Sequence, residues 1–400
     1  MKIVADENMP LVGEMFSTYG EVETFPGREL GPVQIKNADV LLVRSVTPVN
    51  SDLLAGSSVR FVGSATIGTD HVDQGYLKKN GIQFANAPGC NANAVVQYVL
   101  SVLCRLRPVW QEQTVGIVGC GNVGGRLYQT LQKLGVDCHC YDPFLLEADN
   151  IDLVSFEEVI QSDILCLHTP LTTDGPYPTF HLFNEAVLSQ LAPNALLINA
   201  GRGAVVDNRV LLDMLPQKSW QVALDVWEGE PDISLPLLEL VDIGTPHIAG
   251  HSYDGKVNGT TMVRDAFCAW LGKTVPDLNF DPEHLIGEKI KGQEQLIDLE
   301  SSTLSDAVLA TFDVAQEDQR MRDALLALDL SSGLASAVDV SKEFDRLRKT
   351  CPKRLEFQHY LVKGRVKGCA GGEVKVGVNA ELTEKLAKKL SCLGFLSSVE

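Results

Sequence analysis

Short apolar runs, each closed by glycine, proline or a polar cluster, recur along the first two-thirds of the chain. Lys2 to Ala5, Val22 to Phe25, Ala38 to Val43, Arg60 to Ser64 and Ile82 to Ala85 read as strands. Stretches of helical period separate them, starting with Met9 to Tyr19. A long helical pattern from about Asn93 to Leu106 leads into a second series of strands. These are Val115 to Val118, Val136 to Tyr141, Ile164 to His168, Ala195 to Asn199, Gln221 to Val226 and a short run at Ile243. Strands alternating with helices predict parallel sheets covered on both faces. The expected fold class is α/β, with two Rossmann-like, doubly wound domains. A helix from Gly259 to Leu271 is assigned back to the first domain. Past about Pro282 the pattern changes. Gln293 to Ala315 reads as mainly helical, Gly372 to Asn379 as a strand and Glu381 to Leu390 as a closing helix. This part is read as a C-terminal α+β domain. The expected division is 1–92 with 256–282, then 93–255, then 283–400.

The densest chemistry follows Val118. Gly119, Cys120, Gly121, Asn122, Val123 and Gly124 spell G-x-G-x-x-G between a strand and a helical pattern that ends at Gly135. Gly119 suits the tight turn, Gly121 the close approach of a pyrophosphate, and Gly124 the packing of helix on strand. The helix N-terminus, with open N–H groups and the positive end of its dipole, would receive the anion. The next strand closes on Asp142, about 20 residues past the glycines, where a carboxylate accepts hydrogen bonds from ribose hydroxyls. The same charge repels a 2′-phosphate, so NAD is expected rather than NADP.

Arg202, Glu230 and His247 lie on three successive loops at strand C-termini, where open α/β sheets bind their ligands. Beside a nicotinamide they form a set suited to oxidising a 2-hydroxy acid. A histidine can take the hydroxyl proton near neutral pH. A carboxylate beside it orients the ring and favours its charged form. An arginine fork can hold the substrate carboxylate.

Charge narrows the possibilities. The chain carries 34 basic and 52 acidic residues, a net charge of −18, which argues against nucleic-acid or anionic-membrane partners. No apolar run reaches the ~18 residues of a membrane span. The chain opens directly on a strand rather than a secretory leader, so a cytoplasmic location is expected. The ten cysteines show no C-x-x-C pair and are expected to be buried thiols. Cys138, His139 and Cys140 suggest a metal cluster until the strand is considered. Alternation sends the two cysteines to one face and the histidine to the other, so no metal is assigned.

The motifs resemble the D-isomer-specific 2-hydroxyacid dehydrogenases, which share the Arg–Glu–His set. The stretches that carry the resemblance include Val43-Arg-Ser-Val-Thr-Pro-Val-Asn, Thr69-Asp-His-Val-Asp, Ala87-Pro-Gly-Cys-Asn-Ala, the glycine turn, Gly203-Ala-Val-Val-Asp-Asn, Leu224-Asp-Val-Trp-Glu-Gly-Glu-Pro and Asp242-Ile-Gly-Thr-Pro-His-Ile-Ala-Gly. They cover about 1–270 densely. The opening Asp6-Glu-Asn-Met-Pro and the tail motif Glu343-Phe-Asp-Arg-Leu-Arg-Lys narrow the resemblance to a branch acting on a phosphorylated hydroxy acid. It implies that Arg202, Glu230 and His247 are catalytic. It implies NAD contacts at Asn122, Val123, Asp142, Thr169, Asp225 and Gly250, and substrate contacts at Ser45 and Thr66. It also implies a homodimer formed through the C-terminal domain. Where the branch has a substrate-binding tyrosine this chain has His251, whose imidazole can also donate to a phosphate. Arg44 is the nearest cation for that phosphate, and the basic run around Arg346 is a second candidate. An NAD-sensing binding protein on the same fold is the alternative from another class.

Overall fold

The computed structural model describes residues 1–145, 151–274, 295–299, 303–328, 336–364 and 377–398. They form two compact units, one of Met1–Ala92 with Ser252–Gln293 and one of Asn93–His251 with Glu294–Glu400.

The first unit holds a parallel sheet of β1 (Lys2–Asp6), β2 (Glu21–Phe25), β3 (Val40–Val43), β4 (Phe61–Ser64) and β5 (Gln83–Ala85), in the order β2-β1-β3-β4-β5. Its central strands β3 and β4 are buried at every residue, as strands covered on both faces must be. The first helix is shorter than the hydrophobic period predicts. It runs only over α1 (Val12–Phe16), because Leu11 sits at φ 60° and the Met9 N–H turns back to Asp6. A residue in the left-handed region cannot continue a right-handed helix. The helix expected from Gly259 starts six residues earlier, at Tyr253, where Ser252 caps it by accepting the Gly255 N–H.

The second unit holds β6 (Val115–Val118), β7 (Cys138–Tyr141), β8 (Ile164–Leu167), β9 (Leu196–Asn199), β10 (Gln221–Leu224) and β11 (Ile243–Gly244). The order β11-β10-β9-β8-β6-β7 is parallel throughout. A single bridge from Leu153 to Cys140 continues the sheet beyond β7. It is the remnant of the third strand that a doubly wound dinucleotide fold carries there. The strand order switches from one side of β6 (β7) to the other (β8), and ligands bind at such a switch point in open α/β sheets.

The C-terminal region contributes to the core of this unit. Met321, Leu325, Val340, Phe344 and Leu347 are buried in the cluster that includes Leu224, Trp227, Leu238 and Val241. Asp318 accepts the N–H of Gly244 at 2.7 Å, and Arg322 donates to the Val241 carbonyl at 2.7 Å. The short edge strand β11 is thus covered rather than left open. Two expectations are corrected here. Gln295–Leu299, read as helical, is a strand that pairs in parallel with Tyr360–Gly364. Gly377 to Asn379, read as the end of a strand, open the helix Gly377–Leu393. Pairing between distant segments overrides local pattern in such short apolar runs. Residues 372–376 of that expected strand lie outside the described residues.

Candidate active site

The glycine turn separates the work of its three glycines as the motif predicts. Gly119 has φ 88°, and a Cβ there would press on Thr169 and His168 at 2.8–3.0 Å. A Cβ at Gly124 would collide with the Gly119 carbonyl oxygen, so the helix Asn122–Leu134 lies directly on the turn. A Cβ at Gly121 would meet nothing within 4 Å, which leaves its backbone open to a ligand. Asp142 follows β7 and accepts the N–H groups of Cys120 at 2.9 Å and Phe144 at 3.0 Å. Beyond β8, the Thr169 hydroxyl and both ring nitrogens of His168 are buried and unpartnered among the described residues. Burial pulls the His168 pKa down to about 4, so its ring is neutral. Orphaned polar atoms beside an open glycine turn are what a dinucleotide site presents before its cofactor is added.

Cys120 and Cys140 correct the expectation of free thiols. Their sulphurs are joined as a disulfide, with Cα atoms 6.3 Å apart, because the turn after β6 lies against the neighbouring β7. Cys104, Cys138, Cys166, Cys268 and Cys392 are free thiols, and Cys138 and Cys140 share the buried face of β7 while His139 is half-buried on the other.

Glu230 and His247 meet directly. Glu230 Oε2 faces His247 Nδ1 at 2.8 Å, and Glu230 Oε1 accepts the Trp227 N–H at 2.9 Å. Burial pushes the Glu230 carboxyl up, but the His247 charge, the bond to its ring and the Trp227 amide outweigh it and hold the pKa below the ordinary carboxyl value. His247 itself has φ 55°, a conformation that non-glycine residues adopt at a cost of order 1–3 kcal/mol and that collects at functional sites. Asp225 holds it there. Its carboxylate, 1% exposed, accepts the Thr245 hydroxyl at 2.7 Å, the Ile248 N–H at 2.7 Å and the Ala249 N–H at 2.9 Å. Burial raises its pKa despite those bonds. Arg202 is half-buried on the loop after β9, with Nη1 donating to the Gly201 carbonyl at 2.8 Å. That loop is seated on the loop of Glu230, since a Cβ at Gly203 would collide with the Trp227 carbonyl.

Residues 105–249 match the NAD binding domain of the D-isomer specific 2-hydroxyacid dehydrogenases, and 289–374 match a domain of unknown function, DUF3410. A curated erythronate-4-phosphate dehydrogenase of Cellvibrio japonicus is 50% identical over 371 residues, covering 91% of this chain and 95% of that protein. The protein of the same name from Escherichia coli O139:H28 is 44% identical over 388 residues, 95% and 98% of the two chains. The chain belongs to the erythronate-4-phosphate dehydrogenase family. It is an NAD-dependent enzyme of 2-hydroxy acids, and its fold agrees. The D-lactate dehydrogenase of Aquifex aeolicus superposes with TM-score 0.57 at 22% identity, covering 68% of this chain and 96% of that one. The 3-phosphoglycerate dehydrogenase of Entamoeba histolytica gives 0.58 at 22%, covering 70% and 99%.

The remaining predicted residues lie in both units. Arg44 and Ser45 follow β3 and Thr66 follows β4, at the C-terminal ends of the first unit's strands. Ser45 is exposed. The Thr66 hydroxyl pairs with Ser64 at 2.7 Å and donates to the Gly68 carbonyl at 3.0 Å. In the second unit Gly250 and His251 are half-buried just past the Asp225 clamp. Arg346 points from an exposed helix face and pairs with Glu343 at 2.5 and 2.8 Å.

Sequence reasoning missed two supports. Glu228 accepts the Asn208 N–H at 3.1 Å, donates its own N–H to the Asn208 side chain at 3.1 Å and meets His181 Nε2 at 2.7 Å. Asp207 lies 3.3 Å from the other ring nitrogen. The ring therefore bridges two carboxylates and ties the loops of Arg202 and Glu230 together. The second support is Arg354, which donates to the carbonyl of Ala249 from far along the chain. Glu228, Asp207 and Asn208 lie inside motifs already quoted, but His181, which joins them, and Arg354 lie outside any local motif that could have announced their roles.

Proposed function

We propose that this chain oxidises 4-phospho-D-erythronate to 2-oxo-3-hydroxy-4-phosphobutanoate, a step in pyridoxal 5′-phosphate biosynthesis, and that it acts in the cytoplasm. The observation that carries the catalytic part is the Glu230–His247 contact at 2.8 Å. Glu230 occupies Nδ1, so Nε2 of His247 is the atom that takes the substrate hydroxyl proton. Glu230 stabilises the imidazolium that results, and Arg202 holds the substrate carboxylate. NAD, when bound, accepts the hydride. Gly119, Gly121, Asn122, Val123 and Gly124 cradle its pyrophosphate, Asp142 its ribose, and Thr169, Asp225 and Gly250 its remaining polar groups. Ser45, Thr66, Arg44 and His251 are proposed substrate contacts. Functionally the chain divides into a substrate domain of 1–92 with 256–282, an NAD domain of 93–255 and a dimerisation domain of 283–400. Sedimentation of the full chain tests the dimer.

The assay is NADH formation with 4-phospho-D-erythronate, D-3-phosphoglycerate, D-lactate and D-glycerate, with an oxo acid supplied to reoxidise the cofactor. Preference for phosphoerythronate that His247→Ala abolishes is the expected result. Preference for phosphoglycerate would overturn the substrate and keep the machinery. NAD binding without turnover on any substrate would favour a sensing role.

A further inference from the structure

A cavity of 160 Å³ opens beside Arg354, lined among others by Ile248, His251, Thr311, Phe312 and Lys353. One water takes ~30 Å³ in the liquid, so the space admits a small polyatomic ion. Arg354 is 6% exposed, and its guanidinium lies over Phe312 with Cζ 4.3 Å from the ring centroid. Nη2 is committed to two backbone carbonyls, Ala94 at 3.2 Å and Ala249. Nε and Nη1 are buried with no partner among the described residues. A guanidinium does not give up its proton in a protein, so the charge remains and its open donors need an acceptor.

The acids lining the same cavity are already engaged. Asp313 pairs with Arg105, and Glu317 pairs with Arg320 at 2.7 Å. Asp225 and Glu356 act on Arg354 through charge, without occupying Nε or Nη1. Arg354 and Lys353 therefore line the cavity beside acids that are already paired, in a chain whose net charge is −18.

We propose that this cavity binds a small oxyanion, a phosphate group above all, through the open donors of Arg354 with the help of Lys353. The site also has a route to the chemistry. Arg354 grips the carbonyl of Ala249 while Asp225 accepts the N–H of the same residue at 2.9 Å. An anion on Arg354 therefore acts on Ala249, the residue that Asp225 holds beside the His247 loop.

The test uses the full chain loaded with NAD, titrated with inorganic phosphate at constant ionic strength and followed by melting temperature and by phosphorus line width. The expected result is a saturable rise in melting temperature that chloride does not give. Lys353→Ala and Arg354→Lys should each weaken the apparent Kd at least tenfold, and Arg202→Ala should leave it unchanged. Glycerol 3-phosphate, run in parallel, separates the two sources of the group. Tighter binding of the ester points to an organic phosphate, and tighter binding of the bare ion to free phosphate. If Arg354→Lys does not fold, Lys353→Ala decides. No saturable rise with either ligand, a rise that Lys353→Ala leaves intact, or one that Arg202→Ala abolishes would overturn the proposal.

Discussion

Replacing Glu230 by glutamine keeps the size of the side chain and removes one charge from the pair with His247. The carboxylate faces Nδ1 at 2.8 Å and is held below its ordinary pKa, so it is ionised across the working range. A hydrogen bond to a charged group contributes about 1.5–3 kcal/mol. The His247 side chain is 35% exposed, and screening by solvent places the expected loss near the lower end, about 1.5 kcal/mol. At about 1.4 kcal/mol per decade this predicts a roughly tenfold fall in kcat for oxidation. The direction in pH follows from which form loses support. The carboxylate favours the protonated ring, so removing it favours the neutral one, and the limb that belongs to the pair moves about one unit toward lower pH. In the proposed mechanism oxidation needs the neutral ring as base. The variant should therefore have a lower plateau that persists further into acid. The assay is kcat and kcat/KM against pH, read by NADH formation. A lowered plateau with an unmoved limb would mean that Glu230 serves only the Trp227 backbone, and the reasoning would be refuted.

The same carboxyl predicts an acid effect on stability. Its folded pKa is depressed, so it stabilises the fold above its unfolded value and that contribution disappears as pH falls through the folded value; melting temperature should fall less steeply with acid in Glu230→Gln than in the parent. Gly124→Ala should unfold the turn or lower the melting temperature sharply, because its Cβ collides with the Gly119 carbonyl. Gly121→Ala should leave melting unchanged and weaken NAD binding at least tenfold by calorimetry, since its Cβ projects into open space. Asp225→Asn turns one acceptor into a donor against the Thr245, Ile248 and Ala249 donors, and a loss of about 1–3 kcal/mol is expected in denaturant unfolding. Arg346→Ala should stay within about 0.5 kcal/mol of the parent with KM unchanged, whereas Arg44→Ala should raise KM for the phosphorylated substrate.

What the sequence made legible was local in origin. Strands β6 to β11 announce themselves as apolar runs because both faces of a parallel sheet are covered, and the glycine turn is legible because its three glycines fall at fixed spacing between a strand and a helix. Glu230 and His247 could be placed on adjacent loops for the same reason, since successive strands of such a sheet end on one side. The pattern failed where pairing comes from far away. Gln295–Leu299 has no strand identity until Tyr360–Gly364 lies beside it. The third strand of the NAD domain shrinks to the one bridge at Leu153, too short for any periodicity.

The loop of His247 shows why the missed residues matter as much as the found ones. A histidine at φ 55° does not hold that conformation by its own preference. It is held because Asp225, the residue immediately after β10, captures the N–H groups of Ile248 and Ala249. From the other side Arg354, more than a hundred residues later, captures the Ala249 carbonyl. The carboxylate is buried and raised in pKa while the arginine is buried and lowered, so each is kept at a cost that burial alone would not repay. Two buried, opposite charges on either side of one residue make sense if the position of that residue, Ala249, is what they serve. The chemistry of the site thus rests on a tail that the local motifs of the NAD domain do not require, and a chain truncated before Arg354 should keep its glycine turn but lose the fixed geometry of His247.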